Sequence, residues 1–297
     1  MTRPTRRRAL TVVLAGAAAA LAAPVGSASA SAPSPAKARP RGPRPLRQAH
    51  AHNDYLHPRP LLDALDHGFT SVEADVFLVD GELLVAHEPA SLDPARTLAS
   101  LYLEPLAALV RAGRGSVLPH RHGSLQLLID IKADGVAAYR EVHRQLWAHR
   151  RILTRYHHGR VHPGAVTPVI SGDRAARAPM EAQRTRYAFY DGRLDDLGTA
   201  AESSFAPLVS ANWTHTFGWR GAGPIPPAER DRLRSLVAAA HHEGRRIRFW
   251  ATPDRPGPER EAVWNELLAA GVDHLNTDDL PGLEHFLRTR ADATSSA

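Results

Sequence analysis

The chain has 297 residues, with 37 Lys or Arg against 31 Asp or Glu and no cysteine, which excludes a disulfide-stapled scaffold. Nine of the basic residues and none of the acids fall in residues 1–47, leaving 28 basic against 31 acidic residues beyond. The formal charge of +6 therefore belongs to the N-terminal segment and argues against nucleic acid as a partner of the folded part.

Residues 1–30 carry Arg3, Arg6, Arg7 and Arg8, an apolar run from Ala9 to Val25, and Ala28-Ser29-Ala30, a small-x-small cleavage pattern. This reads as a secretory signal peptide, with an apolar run shorter than the ~20 residues a membrane span needs. The paired arginines fit a twin-arginine route as well as the general secretory one, and either predicts a secreted protein. Residues 31–47 hold five prolines and five basic residues and no acid, the composition of a disordered linker. The fold is expected over residues 48–290, with a disordered tail at 291–297.

From residue 48 short β-like runs alternate with amphipathic helical ones. Strands are expected at 48–52, 71–77, 125–132, 167–171, 186–190, 207–210, 246–251 and 274–277. Helices are expected at 60–67, 99–112, 136–150, 227–243 and 259–270, three of them closed by Gly68, Gly244 and Gly271 as C-terminal caps. Residues 79–85, centred on Asp80-Gly81, read as a hairpin inserted after the second strand. Eight strands with intervening helices in about 250 residues predict a single-domain α/β fold, a TIM-type (β/α)8 barrel. A doubly wound sheet would alternate in the same way, but no glycine-rich phosphate loop follows the first strand.

Polar residues gather at the ends of those strands, where such barrels build their chemistry. His50, His52 and Asn53 close the first strand. Glu73 and Asp75 sit two apart on the second, so they share a face, while Val72, Ala74 and Val76 take the other. His87 follows the hairpin, and Asp130 and Lys132 end the third strand. Carboxylates packed together away from water repel and protonate unless a cation intervenes. Glu73, Asp75 and Asp130 thus predict one divalent cation, with Asn53 able to add a carbonyl, and an all-oxygen set favours Mg²⁺ or Ca²⁺. Two histidines beside a cation, His52 and His87, suit proton transfer to and from a phosphodiester, with Lys132 as a phosphate contact. Trp250 and Asn212, at the ends of later strands, are candidate substrate contacts. Trp213, Phe217 and Trp219 form an aromatic loop, either a hydrophobic cluster or a transient membrane-surface contact.

The run from His52 to Pro89, together with 127–135, 169–174, 189–197, 208–213, 248–254 and 271–280, resembles the glycerophosphodiester phosphodiesterase and phosphatidylinositol phospholipase C superfamily. Within it, the run is similar to the branch of the fungal "altered inheritance of mitochondria" proteins. The resemblance implies a TIM barrel, His52 and His87 as the acid/base pair, and Glu73, Asp75 and Asp130 as metal ligands. It also implies a small-molecule or lipid phosphodiester as substrate; a monomer is expected. The His-Arg-Gly and Pro-Glu-Asn-Thr motifs of typical glycerophosphodiesterases are absent. Two other readings stand beside it. His50-Ala51-His52 could be the metal motif of an amidohydrolase-like barrel, or the fold could bind metal and phospholipid without turnover.

Overall fold

The computed structural model describes residues 43–118, 123–199 and 201–295; the expected signal peptide, 1–30, and residues 31–42 of the expected linker lie outside them. Eight parallel strands form the sheet: β1 (Leu46–Ala51), β2 (Phe69–Val79), β4 (Leu125–Ile131), β7 (Val166–Gly172), β9 (Phe189–Gly192), β10 (Leu208–Asn212), β11 (Arg246–Trp250) and β12 (His274–Thr277). The first strand pairs with both β12 and β2, which closes the barrel. The expected hairpin is present, with β3 (Glu82–Val85) running antiparallel to the end of β2.

Period-2 alternation places one set of side chains outward under the helices. Val72, Ala74, Val76, Leu127, Ile129, Ile131, Ile247 and Phe249 are fully buried in one apolar cluster with Leu146, Leu233, Trp264 and Leu267. These last come from α3 (Gly135–Ala148), α6 (Pro227–His242) and α7 (Pro258–Ala270). Each such Val, Leu or Ile contributes about 1.5–3 kcal/mol of transfer free energy, so this layer supplies most of the cohesion. The inward set is divided. Leu128, Val169, Phe189 and Leu208 form a separate small apolar cluster on one side of the lumen. On the other side the inward positions are polar, and their side chains meet across strands that are not neighbours.

Several expected boundaries change. The fifth barrel strand is Phe189–Gly192, whereas Arg186 belongs to a separate three-stranded antiparallel sheet of β5 (Arg155–His157), β6 (Arg160–His162) and β8 (Thr185–Arg186). Arg186 is buried there with its guanidinium 3.9 Å above the Tyr156 ring, which stabilises the excursion. The first strand begins at Leu46, inside the expected linker, because the Leu46 amide donates to the Gly68 carbonyl at 2.7 Å. At the other end α8 (Leu280–Ser295) runs into the expected disordered tail. The aromatic loop is core: Trp213, Phe217 and Trp219 are at most 8% exposed, and Trp213 Nε1 donates to the Trp219 carbonyl. It presents none of these rings to a membrane, and no described helix is long and apolar enough to cross one.

Candidate active site

The second and fourth strands of the chain pair in parallel, with Asp75 opposite Asp130 and Glu73 opposite Leu128. This register brings carboxylate oxygens of Glu73, Asp75 and Asp130 within 4.8 Å of one another at the C-terminal end of the barrel. The three expected ligands are therefore together, and among the described residues no histidine joins them.

Their charges are unequally compensated. Glu73 Oε2 accepts from Arg248 Nη1 at 2.8 Å and lies 2.9 Å from His50 Nε2, all three side chains being buried. Burial alone would raise the Glu73 carboxyl, but the Arg248 charge and the His50 hydrogen bond outweigh it and hold it well below the usual carboxylate range. Asp75 and Asp130 go the other way. Burial, then repulsion from Glu73, raises Asp75. Burial pushes Asp130 up to about 6 despite the Lys132 charge. Lys132 Nζ sits between them, 2.7 Å from Asp75 Oδ2 and 3.1 Å from Asp130 Oδ2. Its expected phosphate contact is thus, in this structure, a carboxylate contact.

Oδ1 of Asp75 and Oδ1 of Asp130 are buried with no hydrogen-bond partner among the described residues. Such atoms cost ~1–3 kcal/mol each unless something meets them. Two orphaned hard oxygens beside a carboxylate cluster short of positive charge fit one divalent cation. Asn53 lies at the edge of the set, its left-handed backbone (φ 47°) turning the chain. Its Oδ1 is 2.9 Å from the Tyr55 hydroxyl, which also lies 2.7 Å from Asp75 Oδ2.

The two expected proton-transfer histidines differ. His52 Nδ1 lies 2.7 Å from Asp278 Oδ1, so the aspartate holds the ring and leaves Nε2 to exchange a proton. Burial alone would lower His52, but the hydrogen bond to Asp278 and the field of Glu73 and Asp278 raise it. His87 is more open, about half exposed, with Nδ1 3.1 Å from Glu88. The hairpin positions it: the Ala86 amide donates to the Asp75 carbonyl at 3.3 Å, which ties the start of the His87 segment to the strand of Glu73 and Asp75. It lines a cleft of ≈ 320 Å³ with Tyr55 and Arg96.

His50, by contrast, is fully buried and bridges Ser71 Oγ (2.7 Å) to Glu73, and burial lowers its pKa to about 4. Both its ring nitrogens are engaged in this buried network, and it stands outside the set of Glu73, Asp75 and Asp130, which speaks against the amidohydrolase-like reading. Behind it runs a buried chain: Arg246 Nη2 donates to Gln126 Oε1 (2.6 Å), and Gln126 Nε2 to Ser71 Oγ (2.8 Å). Asn212 Oδ1 caps the short helix α5 (Trp213–Thr216), accepting from the Thr214 and His215 amides. Trp250 is half-buried at the end of β11.

Sequence reasoning missed Arg248 and Tyr55. Arg248 was within reach of it, since Arg246, Arg248 and Trp250 alternate with Ile247 and Phe249 and so share the inward face.

A closed (β/α)8 barrel with carboxylates and a held histidine at its C-terminal mouth defines the class, a phosphodiesterase-like barrel of the glycerophosphodiester phosphodiesterase fold. The chain belongs to the AIM6-like phosphodiesterase domain family, which matches residues 43–191; the glycerophosphoryl diester phosphodiesterase family matches residues 246–281. An altered inheritance of mitochondria protein 6 homolog of Arthroderma benhamiae is 33% identical over 78% of this chain and 81% of its own length. Altered inheritance of mitochondria protein 6 of Eremothecium gossypii is 30% identical over 81% and 69% respectively. A glycerophosphoryl diester phosphodiesterase from Parabacteroides distasonis superposes with a TM-score of 0.50, covering 82% of this chain and 87% of its own at 12% identity, which bears on the fold alone.

Proposed function

We propose that the protein is an exported, metal-dependent phosphodiester hydrolase acting on a small-molecule or lipid phosphodiester. The observation that carries this reading is the pairing of two orphaned, buried carboxylate oxygens with a neighbouring histidine held by an aspartate. Glu73, Asp75 and Asp130, with Asn53 at their edge, would hold one Mg²⁺ or Ca²⁺ ion, which when bound supplies positive charge against the charge that builds on phosphate. Arg248 fixes Glu73 in its ionised form, ready as a ligand. Lys132 adds an ammonium beside the place where phosphate charge would collect. His52, oriented by Asp278, takes the proton of the attacking hydroxyl or water at Nε2. His87, in the cleft beside Tyr55, returns one to the leaving alkoxide; each role is worth ~10²–10⁴ in rate. Export rests on the leader-like residues 1–30.

The test is a panel of glycerophosphodiesters, lysophospholipids, sphingomyelin and phosphatidylinositol, assayed with Mg²⁺ or Ca²⁺ and again with chelator. Turnover should vanish on chelation and fall at least a hundredfold in His52→Ala. Turnover that survives both treatments would sink the mechanism.

A further inference from the structure

The opposite end of the barrel carries a second, separate cavity of ≈ 600 Å³. Its walls are the N-terminal ends of the strands: Arg47 and Thr70 near the starts of β1 and β2, Ser124 before β4, Arg246 opening β11, and Asp273 and His274 at the start of β12. None of these residues belongs to the carboxylate cluster.

Arg246 is the unusual feature. Burial pulls its guanidinium pKa down, the charge of nearby Asp273 offsets this only in part, and among the described residues Arg246 makes no ion pair. Its partners are neutral: Nη2 donates to Gln126 Oε1 at 2.6 Å and Nη1 to His274 Nε2 at 3.0 Å. An arginine has no lone pair to offer, so His274 Nε2 must accept, and the single ring proton sits on Nδ1. That Nδ1 is buried and has no acceptor among the described residues. The acid that shares the cavity, Asp273, has its Oδ2 committed to the Ile247 amide (2.8 Å) and to His241 (2.8 Å). Arg47 adds a second, exposed cation at the rim. The two arginines of the lining outnumber its one carboxylate, Asp273, and a guanidinium whose direct partners are all neutral gains from an anion that meets it.

We infer that this N-terminal mouth is a binding site for a small oxyanion, of phosphate or carboxylate type, held by Arg246 and Arg47. The inference stands apart from the hydrolase reading, because no residue of the carboxylate cluster takes part.

The experiment titrates inorganic phosphate, and separately acetate, into the full chain while amide NMR signals of Thr70, Ser124, Gly271 and Val272 are followed. Lys132→Met serves as background, so that any phosphate held at the other mouth is weakened. Saturable shifts at these four amides are expected, with phosphate alone assigning the phosphate class and acetate alone the carboxylate class. Affinity should fall roughly tenfold or more in Arg246→Gln, as loss of a charged hydrogen bond implies. Arg47→Ala, an exposed change that leaves the core untouched, should weaken it several-fold even if Arg246→Gln fails to fold. Absence of shifts at these amides with both anions, or affinity unchanged in Arg47→Ala and in folded Arg246→Gln, would overturn the inference.

Discussion

At the scale of single residues, function depends on how each buried charge is matched. Arg248→Met leaves the Glu73 carboxylate buried with His50 as its remaining hydrogen-bond partner and two carboxylates close by, and loss of one partner of such a pair costs about 3–5 kcal/mol. Urea denaturation should show that loss, with Arg248→Lys recovering only part of it because a lysine cannot reproduce the guanidinium's fixed geometry. Asp54 supplies a pH-dependent case. It is fully buried, accepts from the Leu61 amide and the Tyr102 hydroxyl, and burial raises its carboxyl to about 6. A raised carboxyl favours the fold when protonated, so its contribution is present below pH ~4 and is lost as pH rises through 6. Asp54→Asn should therefore gain on the wild type by about 3 kcal/mol between pH 4 and pH 7, as read from denaturation midpoints across that range. An equal pH slope in both proteins would show that Asp54 does not titrate there. Glu73, Asp75, Asp130 and His52 were legible in the sequence because spacing alone put them on one face at strand ends. Arg248 stood on a strand whose inward face the same rule defines, but its partner lies 175 residues away, and no local pattern reveals that contact.

At the scale of elements, two glycines at positive φ near the site differ in what surrounds them. The turn between β2 and β3 has Asp80 and Gly81 both at positive φ (50° and 85°), as a two-residue hairpin requires. A Cβ at Gly81 would meet nothing within 4 Å. Gly81→Ala should accordingly cost only the backbone strain, about 1–2 kcal/mol, and leave cation affinity unchanged. Gly172 closes β7 at φ 80°, where a Cβ would stand 1.9 Å from Asp130 Oδ1 and 2.2 Å from the Ile131 carbonyl. The backbone strain is the same, but here the intruding atom displaces a proposed metal ligand. Gly172→Ala should weaken Mg²⁺ or Ca²⁺ binding at least tenfold by calorimetry. Equal behaviour of the two glycine variants would break the link between Gly172 and the cation site.

At the scale of the whole molecule, the barrel was legible because strands such as β2 and β4 repeat Val, Ile, Leu or Ala on one face at period two while the helices repeat at a longer period. The antiparallel sheet of β5, β6 and β8 was not, since Arg186 is held by a ring 30 residues away rather than by its neighbours. The fifth strand, four residues long, was displaced with it. Closure has a consequence for the metal. With β1 paired to both β2 and β12, the sheet has no free parallel edge from which to open, so the barrel should unfold as a unit. A cation bound only by the folded state then stabilises every element together, by about 2.7 kcal/mol at a hundredfold excess over its dissociation constant. Thermal unfolding at pH 7.5 should shift upward with Mg²⁺ or Ca²⁺ and return with chelator, and Asp130→Asn should abolish the shift. Because protons compete for Asp130, whose carboxyl lies near 6, the cation-induced shift should shrink as pH falls from 7.5 to 5. A shift of equal size at both pH values, or one that persists in Asp130→Asn, would place the cation elsewhere in the molecule.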